Sequence, residues 1–146
     1  MKQKKGFTLI ELLVVVGVIS ILAATVVVNL RGARERAMDS RVASALGQVR
    51  SIAEMIHART GSYASLCATA GGGTGIRLAV TPTELSTLRD EIFANNGSNA
   101  EVCWSSATDY CVHARLLEAT QFWCIRSDGR AGRTTGTCIS ATAGCW

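Results

Sequence analysis

The chain has 146 residues, room for one ordinary domain and too few for two comfortable ones. Of its net charge of +4, three charges come from Lys2, Lys4 and Lys5; the remaining 12 arginines stand against 11 acids, so bulk charge gives no footprint for nucleic acid. The 48% hydrophobic content is concentrated in one N-terminal run, which argues against a fully soluble cytoplasmic protein.

The run extends from Phe7 to Leu30, and Glu11 is its only charge. A basic start before an apolar run is the layout of a secretory signal peptide. This run exceeds the usual apolar region of such signals, and Leu30-Arg31-Gly32 follows it instead of a small-x-small cleavage site. As a helix, the run covers about 36 Å, enough to cross a bilayer. The three lysines would hold its start in the cytoplasm. A plain anchor leaves Glu11 unexplained, because an ionised carboxylate is costly in such a segment.

The string Lys4-Lys5-Gly6-Phe7-Thr8-Leu9-Ile10-Glu11-Leu12-Leu13 resembles the class III signal of type IV pilins and pseudopilins. That resemblance implies cleavage between Gly6 and Phe7 by a prepilin peptidase, and N-methylation of Phe7. It also implies that the Glu11 carboxylate pairs with the Phe7 amine of a neighbouring subunit. Two such charges are costly singly in an apolar bundle and tolerable as a pair, so the pair sets axial register. Residues 1–6 are then a cleaved leader, and 7–30 a helix that spans the membrane before forming the filament core. Many family members carry a proline in this half that is linked to local melting; here Gly17 is the comparable weak point, costing about 1 kcal/mol against alanine.

Residues 31–60 continue the helix amphipathically. Ala33, Ala37, Val42, Leu46, Val49, Ile52 and Ile56 recur at steps of three to five, with Arg34, Glu35, Arg36, Arg41, Arg50, Glu54 and Arg59 on most other faces. The only proline is Pro82, and Thr60-Gly61 supplies a stop. A helix from Thr8 to Thr60 would be about 80 Å long.

Residues 61–146 form the expected extracellular head. Gly61-Ser62-Tyr63 resembles the loop after the stalk helix of pilins. Ala70-Gly71-Gly72-Gly73-Thr74-Gly75 is a loop, and no lysine follows it in the frame of a phosphate-binding loop. Thr81-Pro82-Thr83-Glu84 reads as a capping box opening a short helix through Ile92. Asn95 to Asn99 is a turn. Residues 101–105, 109–116 and 122–126 read as strands, the last ending at Ser127-Asp128-Gly129. The Tyr110-to-Gly129 stretch also resembles a recurring hairpin of pilin-like heads. The fold class expected is α+β: a long N-terminal helix with a small antiparallel sheet, stapled by disulfides.

The staples would come from Cys67, Cys103, Cys111, Cys124, Cys138 and Cys145, an even set suited to an oxidising compartment. Six cysteines allow 15 pairings and spacing selects none; at least one bond is expected from Cys138 or Cys145 to the sheet. Cys103, Cys111, His113 and Cys124 can be drawn as a zinc site, but the spacing matches no standard finger. Asp109 and Asp128 offer too few acids for calcium, and Arg126, Arg130 and Arg133 crowd them. The same arginines, without interleaved aromatics, are a weak pattern for DNA. His57 and His113 are expected at the surface or an interface. No metal, cofactor or enzyme signature emerges.

The function these features imply is that of a structural subunit of a type IV pilus-like surface filament, serving adhesion, twitching motility or DNA uptake. Its partners would be copies of itself, the prepilin peptidase, an inner-membrane assembly platform, the membrane before assembly, and a DNA or surface ligand. The precursor would sit in the cytoplasmic membrane with its head outside. The alternatives are a pseudopilin of a type II secretion system and a membrane-anchored extracellular binding domain.

Overall fold

The computed structural model describes residues 6–67, 73–74, 84–99, 101–117, 120–138 and 145, with backbone alone at 27–29 and 73–74. The leader residues 1–5, most of the Gly-rich stretch and the first three positions of the expected capping box lie outside the described residues.

Helix α1 runs over Leu9–Thr60. The chain divides into two compact units at Arg34 and Glu35. In the first, the helix is apolar all round as far as Leu30, and among the described residues its large apolar side chains are exposed, from 49% at Val15 to 79% at Leu9. Ser20 donates to the Val16 carbonyl at 2.8 Å and Thr25 to that of Leu22 at 2.8 Å. These hydroxyls are satisfied within their own helix, as an apolar surrounding requires.

In the second unit, α1 buries Val42, Ala45, Leu46, Val49, Ala53 and Ile56. This stripe starts later than its sequence pattern suggests. Ala33 and Ala37 are exposed, Ile52 is half-buried, and the buried positions begin at Asp39 and Val42. Small residues carry too little area to mark a buried face by themselves. Gly61, at φ +70°, ends α1 in the left-handed conformation, and its N–H donates to the His57 carbonyl at 2.8 Å.

Helix α2, Glu84–Asn95, buries Leu85, Leu88 and Ile92 against the same core. Five strands form one antiparallel meander in chain order: β1 Gly73–Thr74, β2 Val102–Ser105, β3 Tyr110–Arg115, β4 Phe122–Arg126 and β5 Ala131–Thr134. Alternation puts Tyr110, Val112 and Ala114 of β3 on the core face with Cys103 and Ile125. Cys111 and His113 point to the opposite face, where they are also buried.

Two strands depart from the sequence reading. Gly73–Thr74, read as part of a loop, pairs with Cys103 and Val102. Ala131–Thr134 pairs with β4 although Ala-Gly-Arg-Thr has no apolar alternation. Its strand character comes from pairing, not propensity. The hairpin that delivers it turns at Gly129, φ +95°, with Arg126 N–H donating to the Arg130 carbonyl at 3.0 Å.

Candidate functional site

The N-terminal motif folds into a reciprocal cap. Thr8 precedes the first helical residue, Leu9. Its backbone N–H donates to Glu11 Oε2 at 3.0 Å and its hydroxyl to the same oxygen at 2.8 Å, while Glu11 N–H donates to Thr8 Oγ1 at 3.3 Å. This is a capping box, with Thr8 as N-cap and Glu11 at the third helical position. The Thr8-Leu9-Ile10-Glu11 spacing carried that signal, and the sequence reading used only the acid.

The cap does two things chemically. It satisfies donors at a helix start that has apolar residues all around it. It also fixes where the Glu11 carboxylate sits and leaves Oε1 without a hydrogen bond among the described residues. Gly6 and Phe7 precede the cap, both exposed, with no Cβ contact within 4 Å at Gly6. The Gly6–Phe7 peptide is thus open to solvent, and the carboxylate lies four residues beyond Phe7.

The head is held by three disulfides. Cys67–Cys103 ties the loop after α1 to β2, with Cα atoms 5.6 Å apart. Cys111–Cys138 and Cys124–Cys145 tie the C-terminal stretch to β3 and β4, with Cα separations of 5.8 and 6.2 Å. The last two bonds lie side by side: Cys111 Sγ is 3.7 Å from Cys124 Sγ and 3.5 Å from Cys145 Sγ. All four cysteines are buried. The metal set drawn from sequence is not assembled, because Cys103 is bonded to Cys67 and the other two cysteines to the C-terminal stretch. With sequence separations of 36, 27 and 21, each bond removes roughly 3–4 kcal/mol of loop entropy from the unfolded chain.

His113 is not at the surface. It is 4% exposed, stands edge-on to Phe122 with ring centroids 5.1 Å apart, and accepts the Cys138 N–H at Nδ1 at 3.0 Å. Burial pushes its pKa down to about 4. His57 is half-buried and stacks on Tyr63 at 4.3 Å. Asp109 accepts from Ser127 and Thr108, and Asp128 pairs with Arg126 at 3.6 Å and Arg130 at 3.7 Å. These acids are engaged in local turns.

Polar groups also register α1 on the head. Asp39, 4% exposed, accepts the Leu117 N–H at 2.8 Å and faces Arg133 at 3.9 Å. The Glu54 carboxylate accepts the Tyr63 hydroxyl at 2.9 Å and that of Tyr110 at 3.4 Å. Burial, with the Glu54 charge nearby, pushes both phenols above their usual pKa.

An apolar membrane-length helix with a capped acid at its start, continuing into a disulfide-stapled α+β head, defines a pilin-like architecture. The family model for the prokaryotic N-terminal methylation motif matches residues 1–27. The type IV wide pilus major component of Thermus thermophilus is 46% identical over 65 residues, covering 44% of this chain and 50% of that protein. The type IV major fimbrial protein of Dichelobacter nodosus is 35% identical over 117 residues, covering 66% of this chain and 74% of that protein. No solved structure gives a significant match. The chain belongs to the type IV pilin family.

Proposed function

We propose that this chain is a structural subunit of a type IV pilus-like surface filament. The observation that carries the reading is a carboxylate capped at the start of a helix whose large apolar residues, as far as Leu30 and among the described residues, are exposed, four residues beyond Phe7. Before assembly, residues 7–30 lie in the cytoplasmic membrane, with the head on the far side, where its disulfides form. A prepilin peptidase cuts after Gly6 and Phe7 is N-methylated. In the filament the apolar helices pack on one another and remove their exposed area from lipid and water. The Phe7 amine of one subunit meets the Glu11 carboxylate of its neighbour, and the pair fixes register because either charge alone would be costly there.

Both named relatives are pilus components, which supports the filament over a secretion pseudopilus. A structural role also fits the head, whose buried polar groups are engaged in caps, turns and tyrosine–carboxylate bonds. Motility, adhesion or DNA uptake would be outputs of the fibre driven by other proteins. Mass spectrometry of filaments sheared from the native host tests this. The expected N-terminal peptide starts at N-methylated Phe7 in the fibre fraction. A mature peptide confined to membranes would favour the pseudopilin, and an intact Met1 start without fibres would favour an anchored extracellular domain.

A further inference from the structure

Helices α1 and α2 leave an open groove of about 510 Å³ on the head. Gln48, Ser51, Ile52 and Met55 line it from α1, and Glu84, Thr87, Leu88 and Glu91 from α2. Each set spans two helical turns along one helix face, a length of roughly 10 Å. Ile52, Met55 and Leu88 give the groove an apolar floor. Glu84 and Glu91 put a carboxylate at each end of one wall, and neither makes an ion pair among the described residues. Leu88 is buried and Ile52 half-buried, while Met55 is 50% exposed, so the groove presents apolar surface to solvent at Met55.

The groove therefore fits a short helical segment with an exposed apolar side chain and two cations within one turn of it. The chain carries such a segment. Leu30 is 59% exposed, and Arg31 and Arg34 stand beside it, with Ala33 between them offering no bulk. Neither arginine makes an ion pair among the described residues.

We infer that the groove receives the Leu30–Arg34 segment of a second copy of this chain, with Arg31 and Arg34 meeting Glu84 and Glu91. This contact rests on the filament reading and adds to it: the Phe7–Glu11 pair sets register in the apolar core, and the groove sets it on the head. Electrostatic complementarity of this kind selects orientation more than it adds affinity.

The test uses the full-length chain in its host, with fibre yield measured against the membrane pool. Opposing like charges at a repeated interface is expected to lower yield about tenfold in Glu84→Arg/Glu91→Arg, and equally in Arg31→Glu/Arg34→Glu. The fourfold charge swap should restore most of the yield. Normal fibres from the first variant, or a fourfold variant as poor as either double, would overturn the contact while leaving the filament reading intact. Absence of fibres from the unaltered chain would remove both. Because Glu84 lies in the first turn of α2, a photo-crosslinking residue at Ser51 provides a readout that does not depend on α2 stability. A fibre-specific dimer joined to residues 30–36 is expected, and a dimer joined elsewhere, or none, would contradict the contact.

Discussion

The first 34 residues and the head solve opposite problems. In the head, Val42, Leu46, Val49, Tyr110, Val112 and Ile125 are fully buried, and three covalent bonds reinforce the fold around them. In the N-terminal helix, residues of the same chemical type from Phe7 to Leu30 are about half to four-fifths exposed. The head is finished as a monomer. The N-terminal helix leaves its apolar surface to be covered by its surroundings, on the reading proposed above by lipid first and then by other helices. Hydrophobic burial thus acts twice in this chain, within a subunit to fold it and between subunits to build the fibre.

That contrast predicts unequal responses to the same substitution. Leu46→Ala should destabilise the head by about 2–5 kcal/mol, the range for a buried leucine, whereas Leu12→Ala should leave the melting of the detergent-solubilised subunit unchanged. Thermal denaturation of the two variants side by side checks this. An equal loss in both would erase the distinction.

Removing the Cys111–Cys138 bond by serine substitution of both residues should cost roughly 3–4 kcal/mol, with the loss seen in head tertiary signals and not in the helicity of the apolar segment. Near-ultraviolet and far-ultraviolet dichroism measured together separate the two regions.

A pH effect should belong to the head alone. His113 has a folded pKa of about 4 against 6.5 unfolded, so between these values the unfolded chain binds more protons. Stability is then full above pH 6.5 and falls as pH drops toward 4, by roughly 3 kcal/mol from this group. Melting of the native chain and of His113→Gln across that window should show the slope in the first and a weaker slope in the second.

The smallest effect concerns the C-terminal clasp. A Cβ at Gly136 would lie 2.7 Å from the Cys145 carbonyl oxygen, so Gly136→Ala must displace one of the two strands of chain there. A loss of about 1–3 kcal/mol is expected, read by chemical denaturation. No change would mean that the clasp yields freely.

What was legible in the sequence follows the same division. The N-terminal signal is local: Gly6, Phe7 and Glu11 sit within six positions, and their setting is a single uninterrupted helix. The strands β2, β3 and β4 were legible because Val102, Trp104, Tyr110, Val112, Phe122, Trp123 and Ile125 are residues that suit a pleated, half-buried surface. β1 was not, because Gly-Thr becomes a strand through a partner far along the chain, and β5 was not, because Ala-Gly-Arg-Thr has no apolar alternation and becomes a strand by pairing with β4 across the hairpin. The cysteine pairing and the burial of His113 depend on where the C-terminal stretch lies across β3 and β4, a long-range fact that spacing does not encode. Ala33 and Ala37 matched the helical period yet remain exposed, since period reports a face and not whether anything covers it.

Glu11 is proposed to set register between subunits, beyond capping its own helix. Fibre yield and head folding should be measured together in Glu11→Ala and Glu11→Gln, in the native host. Glutamine keeps the side-chain length and can still accept the Thr8 hydrogen bonds, but it carries no charge for the Phe7 amine. Both variants are predicted to lose fibres while the head folds and its disulfides form as before. Normal fibres from Glu11→Gln would show that the carboxylate serves only as a cap, and would contradict the account.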